Sequence, residues 1–213
     1  MNLTQLNKVY FIGIGGIGMS ALAKWFKNRG LSVAGYDRSS TPLTHSLEVL
    51  GIEVQYEDNI SQLSQKYIEY SQTLVVYTPA IPSSSELLKF FKVGKFQVKK
   101  RSEVLGMITQ DHYSIAVAGT HGKTTTSSMV AHLMYFSTNA CSAFVGGIMN
   151  NYDSNLLMGD QDSVVVVEAD EFDRSFLQLS PDFTVVTSLD PDHLDIYGNA
   201  EKMTESYLTF IYK

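Results

Sequence analysis

The chain of 213 residues is 44% hydrophobic and 18% charged, with a formal net charge of −6 and a sequence pI near 5.3. These values are ordinary for a globular protein and leave room for one large domain or two small ones. The acidic balance argues against a general nucleic-acid-binding protein, which would need a basic face, and no apolar run approaches the ~18 residues of a membrane span, so no membrane insertion is expected.

The N-terminus and the cysteine content predict a cytoplasmic protein. Residues 1–4 (MNLT) include no basic segment and no small-residue cleavage site, so no signal peptide is predicted. The single cysteine, Cys141, cannot form an internal disulfide, which is typical of proteins in a reducing compartment. We interpret Cys141 as a small buried apolar residue rather than a reactive thiol.

A β-rich run at residues 9–12 leads directly into a glycine-rich turn. Residues 13–18 (GIGGIG) match the pattern G-x-G-x-x-G, and the following residues 19–28 have the apolar spacing of a helix. A second strand is predicted at residues 31–36, and Asp37 stands at its end. A glycine loop between strand and helix, with an acidic residue about 20 positions later, is typical of Rossmann-type folds. The pattern predicts a phosphorylated ligand at the helix N-terminus and leaves open whether that ligand is a dinucleotide.

Strands and helices continue to alternate up to about residue 100. The elements predicted there are a helix at 43–50, strands at 52–54 and 73–77, the segment 78–82 (TPAIP) and a short helix at 85–91. Such alternation predicts a parallel sheet with helices on its faces. The basic run at 99–101 is interpreted as a solvated join between two domains, 1–100 and 101–213, with Ser102 as the N-cap of a short helix to Thr109.

Residues 119–125 (GTHGKTT) form the most informative segment, since they follow the apolar strand 115–118 and precede a predicted helix. The glycines let backbone N–H groups approach phosphate oxygens, and the helix N-terminus adds partial positive charge. Lys123 is predicted to reach the β- and γ-phosphates, and the Thr124 hydroxyl to bind Mg²⁺. His121 either contacts a phosphate or shapes the turn. The predicted ATP-binding residues are Gly119, Thr120, His121, Gly122, Lys123, Thr124 and Thr125.

Two acidic clusters follow predicted strands of the second domain. A strand at 163–167 precedes Glu168, and a strand at 184–187 precedes residues 190–195 (DPDHLD). Ligands of open α/β sheets bind outside the carboxyl ends of the strands, so both clusters are expected to face the phosphate loop. Glu168 is the candidate Mg²⁺ ligand. His193 is interpreted as a second metal ligand or a phosphate contact, the alternative being a neutral, hydrogen-bonded loop histidine.

The remaining parts of the second domain contain no candidate site residues, and only their secondary structure is predicted. Residues 143–147 are expected to form a strand that ends in a glycine turn, and the polar residues 150–162 are expected to form a loop. Residues 207–211 have the apolar spacing of an amphipathic helix with no stop signal after it. This ending predicts that the chain is a fragment of a longer protein. The residues by themselves indicate an ATP-dependent enzyme whose second, phosphorylated substrate binds the Rossmann-like domain.

The order of these motifs resembles the Mur ligases, which build the peptide of bacterial cell-wall precursors. The resemblance rests on residues 118–126, 168–171 and 190–195 in the second domain and on 13–20 and 78–82 in the first. It covers the whole chain and implies an α/β fold, in which a Rossmann-like parallel-sheet domain precedes a truncated P-loop ATPase-like domain. Ser188, Asp190 and Phe172 depart from the family pattern.

By this resemblance the first domain binds UDP-N-acetylmuramate and the second binds ATP and Mg²⁺. The full-length activity so implied forms an acyl phosphate and then an amide bond to L-alanine, and this chain alone is expected to be inactive. The implied catalytic residues are Lys123 and His193, and the implied metal ligands are Thr124, Glu168 and His193. The implied UDP-sugar site consists of Gly15, Gly16, Ile17, Gly18, Asp37, Thr78, Ala80, Ile81 and Pro82.

Three other functions remain open. One is a recycling ligase of the same family, which attaches a whole tripeptide to the same UDP-sugar. Another is a non-catalytic nucleotide-binding module. The third is a nicotinamide-dependent dehydrogenase, which residues 13–37 alone would suggest but which leaves the lysine of the phosphate loop unexplained.

Overall fold

The computed structural model describes residues 6–69, 72–138 and 141–213, so the segment 1–4, on which the prediction of no signal peptide rests, lies outside the described residues. The chain divides into two compact units, Met1–Val104 and Leu105–Lys213, and the division falls inside one helix. Within the described part of the chain, no helix is long and apolar enough to cross a membrane.

The first unit is built on a five-stranded sheet in which all strands are parallel, in the order β3-β2-β1-β4-β5. Its strands are β1 (Lys8–Ile12), β2 (Ser32–Tyr36), β3 (Glu53–Gln55), β4 (Thr73–Tyr77) and β5 (Gln97–Lys100). The strand order reverses between β1 and β4, which is where open α/β sheets bind ligands. The predicted Rossmann-like parallel sheet is therefore confirmed.

Local signals in the sequence explain where the helices of the first unit begin and end. The helices are α1 (Ile17–Asn28), α2 (Pro42–Val49), α3 (Glu86–Val93) and α4 (Arg101–Asp111), the last of which continues into the second unit. Thr41 and Thr44 form a capping box at α2, with Pro42 in the first turn. After α1 the chain turns at Gly30, whose φ of +84° favours glycine.

The basic run at 99–101, predicted as a solvated join between two domains, is ordered secondary structure and ends three residues before the last residue of the first unit, Val104. Lys99 and Lys100 belong to β5, which pairs with β4, and Arg101 is the first residue of α4. Ser102 therefore lies inside α4 and is not its N-cap. Glu103 offsets part of the positive charge of residues 99–101, because it accepts hydrogen bonds from Lys99 Nζ at 3.2 Å and from the Lys100 backbone N–H at 2.7 Å.

The second unit contains a five-stranded sheet in the order β10-β6-β9-β7-β8, in which only β8 is antiparallel to its neighbour. Its strands are β6 (Ser114–Ala118), β7 (Cys141–Met149), β8 (Ser154–Leu157), β9 (Val164–Glu168) and β10 (Phe183–Val186). Its further helices are α5 (Lys123–Thr138), α6 (Leu194–Tyr197) and α7 (Ala200–Ile211). The central position of β6 brings the ends of β9 and β10 to either side of the loop that follows it.

Two predictions for the second unit were wrong in the region of β7 and β8. The expected glycine turn at the end of residues 143–147 is part of β7, which continues to Met149 with a register shift against β8. The expected loop at 150–162 contains β8, a short strand whose last three residues are buried. Cys141 is buried as predicted, and burial raises the pKa of its thiol to about 11.

Candidate functional site

The predicted phosphate loop connects β6 to α5, and its backbone requires glycine at two places. Gly119 has φ of +132° and Gly122 has φ of +81°. A Cβ on Gly119 would lie 2.1 Å from Thr187 Oγ1 and 2.9 Å from the Ser188 backbone nitrogen. The loop is therefore pressed against the segment that follows β10, and only glycine fits at its first position.

Thr120 and His121 of the loop are hydrogen-bonded to the same segment after β10. The hydroxyl groups of Thr120 and Ser188 lie 2.8 Å apart, and Thr120 Oγ1 also accepts the backbone N–H of Asp190 at 3.1 Å. Ser188 Oγ accepts the backbone N–H of His121 at 2.9 Å. Ser188 and Asp190, where the sequence departs from the family pattern, thus shape the loop.

Lys123 is the first residue of α5, and its ammonium group contacts three oxygen atoms. Its Nζ donates to the backbone oxygen of Gly119 at 2.6 Å and to that of Thr120 at 3.4 Å. The third acceptor is Glu171 Oε1, at 2.8 Å. Glu171 follows the end of β9 by three residues and was not singled out in the sequence as a partner of Lys123.

Thr124 and Glu168, two of the predicted metal ligands, lie in contact. The Thr124 hydroxyl donates to Glu168 Oε1 at 3.0 Å, while Glu168 Oε2 accepts the backbone N–H of Gly146 at 2.8 Å. A Cβ on Gly146 would lie 2.5 Å from this carboxylate, so glycine in β7 makes room for it. A hydroxyl and a carboxylate at the N-terminus of a helix match the oxygen ligands that Mg²⁺ prefers.

His193 lies beside carboxylates of two segments. Its Nε2 is 3.9 Å from Glu171 Oε1 and 3.9 Å from Asp192 Oδ2. Its backbone has φ of +51°, uncommon outside glycine, and its ring packs edge-on against Phe172 at 5.5 Å between centroids. Phe172 thus packs on the histidine ring. Among the residues that the structure describes, no group of three or more His, Cys, Asp and Glu side chains could hold a metal ion by itself.

The backbone of Glu171 is held from two directions. The Tyr197 hydroxyl donates to the Glu171 backbone oxygen at 2.6 Å, and the Arg174 backbone N–H donates to the same oxygen at 3.0 Å. Burial, and secondly the charge of Glu171, raises the pKa of Tyr197 to about 12, so this phenol stays a donor at neutral pH. The Glu171 side chain is therefore presented from a fixed position.

In the first unit, the glycine loop packs beside the segment that follows β4. A Cβ on Gly13 would lie 2.7 Å from Thr78 Cγ2 and 3.3 Å from Ile81 Cδ1. The fold thus brings Thr78 and Ile81, two residues of the predicted UDP-sugar site, against the first glycine of the loop, which lies 65 residues before Thr78 in the sequence. Gly16 is the N-cap of α1 and, as a glycine, has no side chain with which to cap this N-terminus.

Asp37 is engaged by the backbone of its own unit. Its Oδ2 accepts the N–H of Gly15 at 2.8 Å, and its Oδ1 accepts the N–H of Ser39 at 3.2 Å. Arg101 was not among the predicted site residues, yet a Cβ on Gly18 would lie 3.0 Å from its guanidinium. The start of α1 is therefore close to a cation contributed by the first turn of α4.

A cavity of about 320 Å³ adjoins Thr124 in the second unit. It lies between α5 and the β7–β8 hairpin, and its lining combines polar and apolar side chains, among them Ser128, Met129, Asn150 and Tyr152. His132 Nδ1 and the Tyr152 hydroxyl lie 2.7 Å apart across this part of the unit. The sequence did not reveal the cavity, because the hairpin was predicted to be a loop.

Two protein-family models match consecutive parts of the chain. The catalytic-domain model of the Mur ligase family matches residues 8–113, and the Mur ligase middle-domain model matches residues 117–213. The chain belongs to the Mur ligase family. The predicted family is thereby confirmed over both units.

Curated relatives in this family include two bacterial proteins of about twice the length. The chain is 54% identical over 214 residues to a UDP-N-acetylmuramate–L-alanine ligase of Flavobacterium johnsoniae, matching 100% of this chain and 47% of that protein. It is 50% identical over 216 residues to the protein of the same name from Cytophaga hutchinsonii, matching 100% and 46% respectively. The chain thus spans about half the length of the curated relatives it matches.

Solved structures of Mur ligases share the fold of the chain. A UDP-N-acetylmuramate–alanine ligase of Thermotoga maritima has a TM-score of 0.84 at 29% identity, covering 95% of this chain and 46% of that one. A UDP-N-acetylmuramate:L-alanyl-γ-D-glutamyl-meso-diaminopimelate ligase of Neisseria meningitides also has a TM-score of 0.84, at 26% identity, covering 97% and 68%. The Rossmann-like and ATPase-like architecture of the family therefore extends over both units.

Proposed function

We propose that the chain is part of an ATP-dependent ligase that joins L-alanine to UDP-N-acetylmuramate in peptidoglycan precursor synthesis, in the cytoplasm. The observation that carries this proposal is that Lys123 of the phosphate loop and the contact between Thr124 and Glu168 lie at the same helix N-terminus. A cation and an oxygen-ligand pair at one site are what a magnesium–nucleotide complex needs. The 50% and 54% identities to proteins named for this activity support the choice of substrates.

In the proposed reaction the carboxylate of the UDP-sugar attacks the γ-phosphate of ATP, which releases ADP and forms an acyl phosphate. The amine of L-alanine then attacks the acyl carbon, loses a proton and displaces phosphate. Lys123 stabilises negative charge on the transferred phosphoryl group. The residues that would hold Mg²⁺ are Thr124 and Glu168, and the ion would supply further charge neutralisation there. For His193 we propose a second contact to the reacting phosphate or its metal, since it lies beside Glu171, the partner of Lys123.

We assign UDP-sugar binding to the first unit, Met1–Val104, and nucleotide triphosphate binding to the second, Leu105–Lys213. The contact of Gly13 with Thr78 and Ile81 supports a ligand that binds to both the glycine loop and the segment after β4. Both oxygens of Asp37 accept backbone N–H groups. Each of these oxygens keeps a further acceptor site for a ligand hydroxyl, so Asp37 remains part of the proposed UDP-sugar site.

The recycling ligase remains the second candidate, because the Neisseria structure superposes with the same TM-score as the Thermotoga structure. The two candidates use the same UDP-sugar and differ in the amine that is joined to it. Assays of the intact enzyme with L-alanine and with the tripeptide as alternative acceptors separate them. We expect turnover with L-alanine. Turnover with the tripeptide and none with L-alanine would exclude the first candidate.

The chain is expected to bind UDP-N-acetylmuramate and MgADP but not NAD. Uridine binding follows from the glycine loop and its neighbours Thr78 and Ile81, and nucleotide binding from the phosphate loop. Titration calorimetry with each of the three ligands measures this directly. Tighter binding of NAD than of UDP-N-acetylmuramate would contradict the assignment of the first unit.

Replacing Glu168 by Gln is expected to weaken the dependence of ADP binding on Mg²⁺. The glutamine oxygen can accept the Gly146 N–H and its amide group can donate to the Thr124 hydroxyl, but the charge that attracts the ion is removed. Because partners that only support a metal ligand are worth about 10–100-fold in metal affinity, a direct ligand should matter at least as much. ADP titrations with and without Mg²⁺ measure the effect, and the exposed Glu205→Gln on α7 is the control. An unchanged Mg²⁺ dependence in Glu168→Gln would refute the role of Glu168 as a ligand.

A further inference from the structure

The ammonium group of Lys123 has no donor left over for a phosphate. An ammonium carries three N–H donors, and Nζ of Lys123 has three acceptors: the backbone oxygens of Gly119 and Thr120 and the carboxylate of Glu171. The side chain thus points into the protein. A phosphate oxygen can therefore bind this ammonium group only by replacing one of the three acceptors.

The acceptor to be replaced is identified by where each of the three is attached. Gly119 and Thr120 belong to the same loop as Lys123, four and three residues before it, so the chain itself keeps these two acceptors near the lysine. Glu171 comes from the segment after β9, and its backbone is held by Tyr197 and Arg174. Exchange with a phosphate therefore moves the ammonium group away from Glu171 while the carboxylate stays in place.

The bond from Lys123 to Glu171 is strong because the carboxylate has little other solvation. Glu171 is 2% exposed, and its Oε2 has no hydrogen-bond partner among the described residues. A buried carboxylate without a partner is costly, so Oε1 holds the ammonium group firmly. The only other cationic candidate beside Oε1 within the described ranges is the His193 ring, with Nε2 at 3.9 Å.

We propose that Glu171 is a positioning residue that competes with the nucleotide phosphates for Lys123. Without nucleotide its carboxylate holds the ammonium group beside the phosphate loop, and the γ- or β-phosphate replaces that carboxylate as the third acceptor. When the lysine moves, His193 is the neighbour that remains beside the carboxylate. This proposal rests on the nucleotide site of the second unit proposed above and assigns to Glu171 a function distinct from that of Glu168.

Replacing Glu171 by Gln tests the competition in the full chain. The amide keeps the size of the side chain and an oxygen acceptor but loses the charge, so Lys123 is released more easily to a phosphate. We expect Kd for MgADP to fall by about tenfold, which is the scale of one charge-assisted hydrogen bond. A role confined to folding would weaken binding or leave it unchanged, because loss of structure does not tighten a site.

The control is Asp192→Asn, which makes the same chemical change at the other carboxylate beside His193 and leaves Lys123 in place; its Kd for MgADP should stay at the wild-type value. Glu171→Asp is the second variant, since it keeps the charge but withdraws it by one methylene from Lys123, and it should tighten binding by a smaller factor. Thermal unfolding confirms that each variant is folded, and if Glu171→Gln is not, Glu171→Asp decides.

The outcomes separate this proposal from the one on which it rests. If the wild-type chain fails to bind MgADP, the assignment of the nucleotide site is wrong, and the proposed competition is refuted as well. If the wild-type chain binds MgADP and the folded Glu171 variants bind it equally or more weakly, only the positioning role of Glu171 is overturned. Tightening by Asp192→Asn to the same extent as by Glu171→Gln would show a general charge effect and would also overturn it.

Discussion

Replacing Lys123 by Ala in the intact ligase is expected to abolish amide-bond formation and to leave UDP-N-acetylmuramate binding unchanged. The side chain belongs to the second unit, whereas the proposed uridine site lies in the first. Losing a positioned charge at the transferred phosphoryl group costs about 3 kcal/mol or more of transition-state stabilisation, which is a rate loss of at least about 100-fold. Phosphate release with ATP, UDP-N-acetylmuramate and L-alanine measures the first effect, and calorimetry with the UDP-sugar measures the second.

The control for this variant is Lys202→Ala, because Lys202 is an exposed lysine on α7. It removes the same charge from the second unit without touching the phosphate loop, and its turnover should equal that of the wild type. Near-normal turnover of the Lys123 variant would show that the loop does not act on the transferred phosphate. A matching loss of UDP-sugar affinity would instead indicate that the substitution disturbs the whole chain.

Replacing Gly119 by Ala is expected to destabilise the second unit and to remove nucleotide binding. The residue has φ of +132°, and an added Cβ would lie 2.1 Å from Thr187 Oγ1, 2.9 Å from the Ser188 nitrogen and 3.0 Å from the Thr187 nitrogen. Two of these atoms are backbone and cannot rotate away. Backbone strain costs about 1–3 kcal/mol, and overpacking adds a cost of about the same size. Urea unfolding measures the loss of stability, and ADP titration measures the loss of binding.

Gly198→Ala separates the two costs, because Gly198 also has a positive φ, +86°, but an added Cβ there meets no atom within 4 Å. The Gly198→Ala variant should be destabilised by backbone strain alone and should bind ADP normally. If Gly119→Ala were no less stable than Gly198→Ala, the close packing of the loop against the segment after β10 would be disproved. Both variants lie in the same unit, so their unfolding transitions can be compared directly.

Local sequence signals predict the two glycine-containing loops and the strands and helices that flank them. The glycine loop at 13–18 and the phosphate loop at 119–125 are each preceded by an apolar strand and followed by a helix, and the structure has all of these elements. Glycine, lysine and hydroxyl residues at those spacings follow from the chemistry of phosphate binding. Such a pattern needs no knowledge of distant residues, which is why the family and the α/β class were predictable.

The elements that the sequence did not predict are short strands with polar residues. β5 contains two lysines, and its Val98 packs against the core of the first unit. β8 has only four residues and follows a turn that begins with two asparagines. Each is a strand only because a neighbouring strand supplies hydrogen bonds, β4 for the first and β7 for the second. Intrinsic strand preference depends strongly on such context, so single-sequence patterns miss these edge strands.

The amino-acid sequence by itself determined the two nucleotide-type folds, the phosphate loop and the identities of Lys123, Thr124, Glu168 and His193 as candidates for chemistry. Only the tertiary structure decided which side chains meet. The pairing of Val117 with Glu168 across β6 and β9 sets how far the chain beyond β9 extends, and so places Glu171 on Lys123, 48 residues away. Strand register of this kind depends on the packing of the whole sheet, and no local spacing in the sequence encodes it.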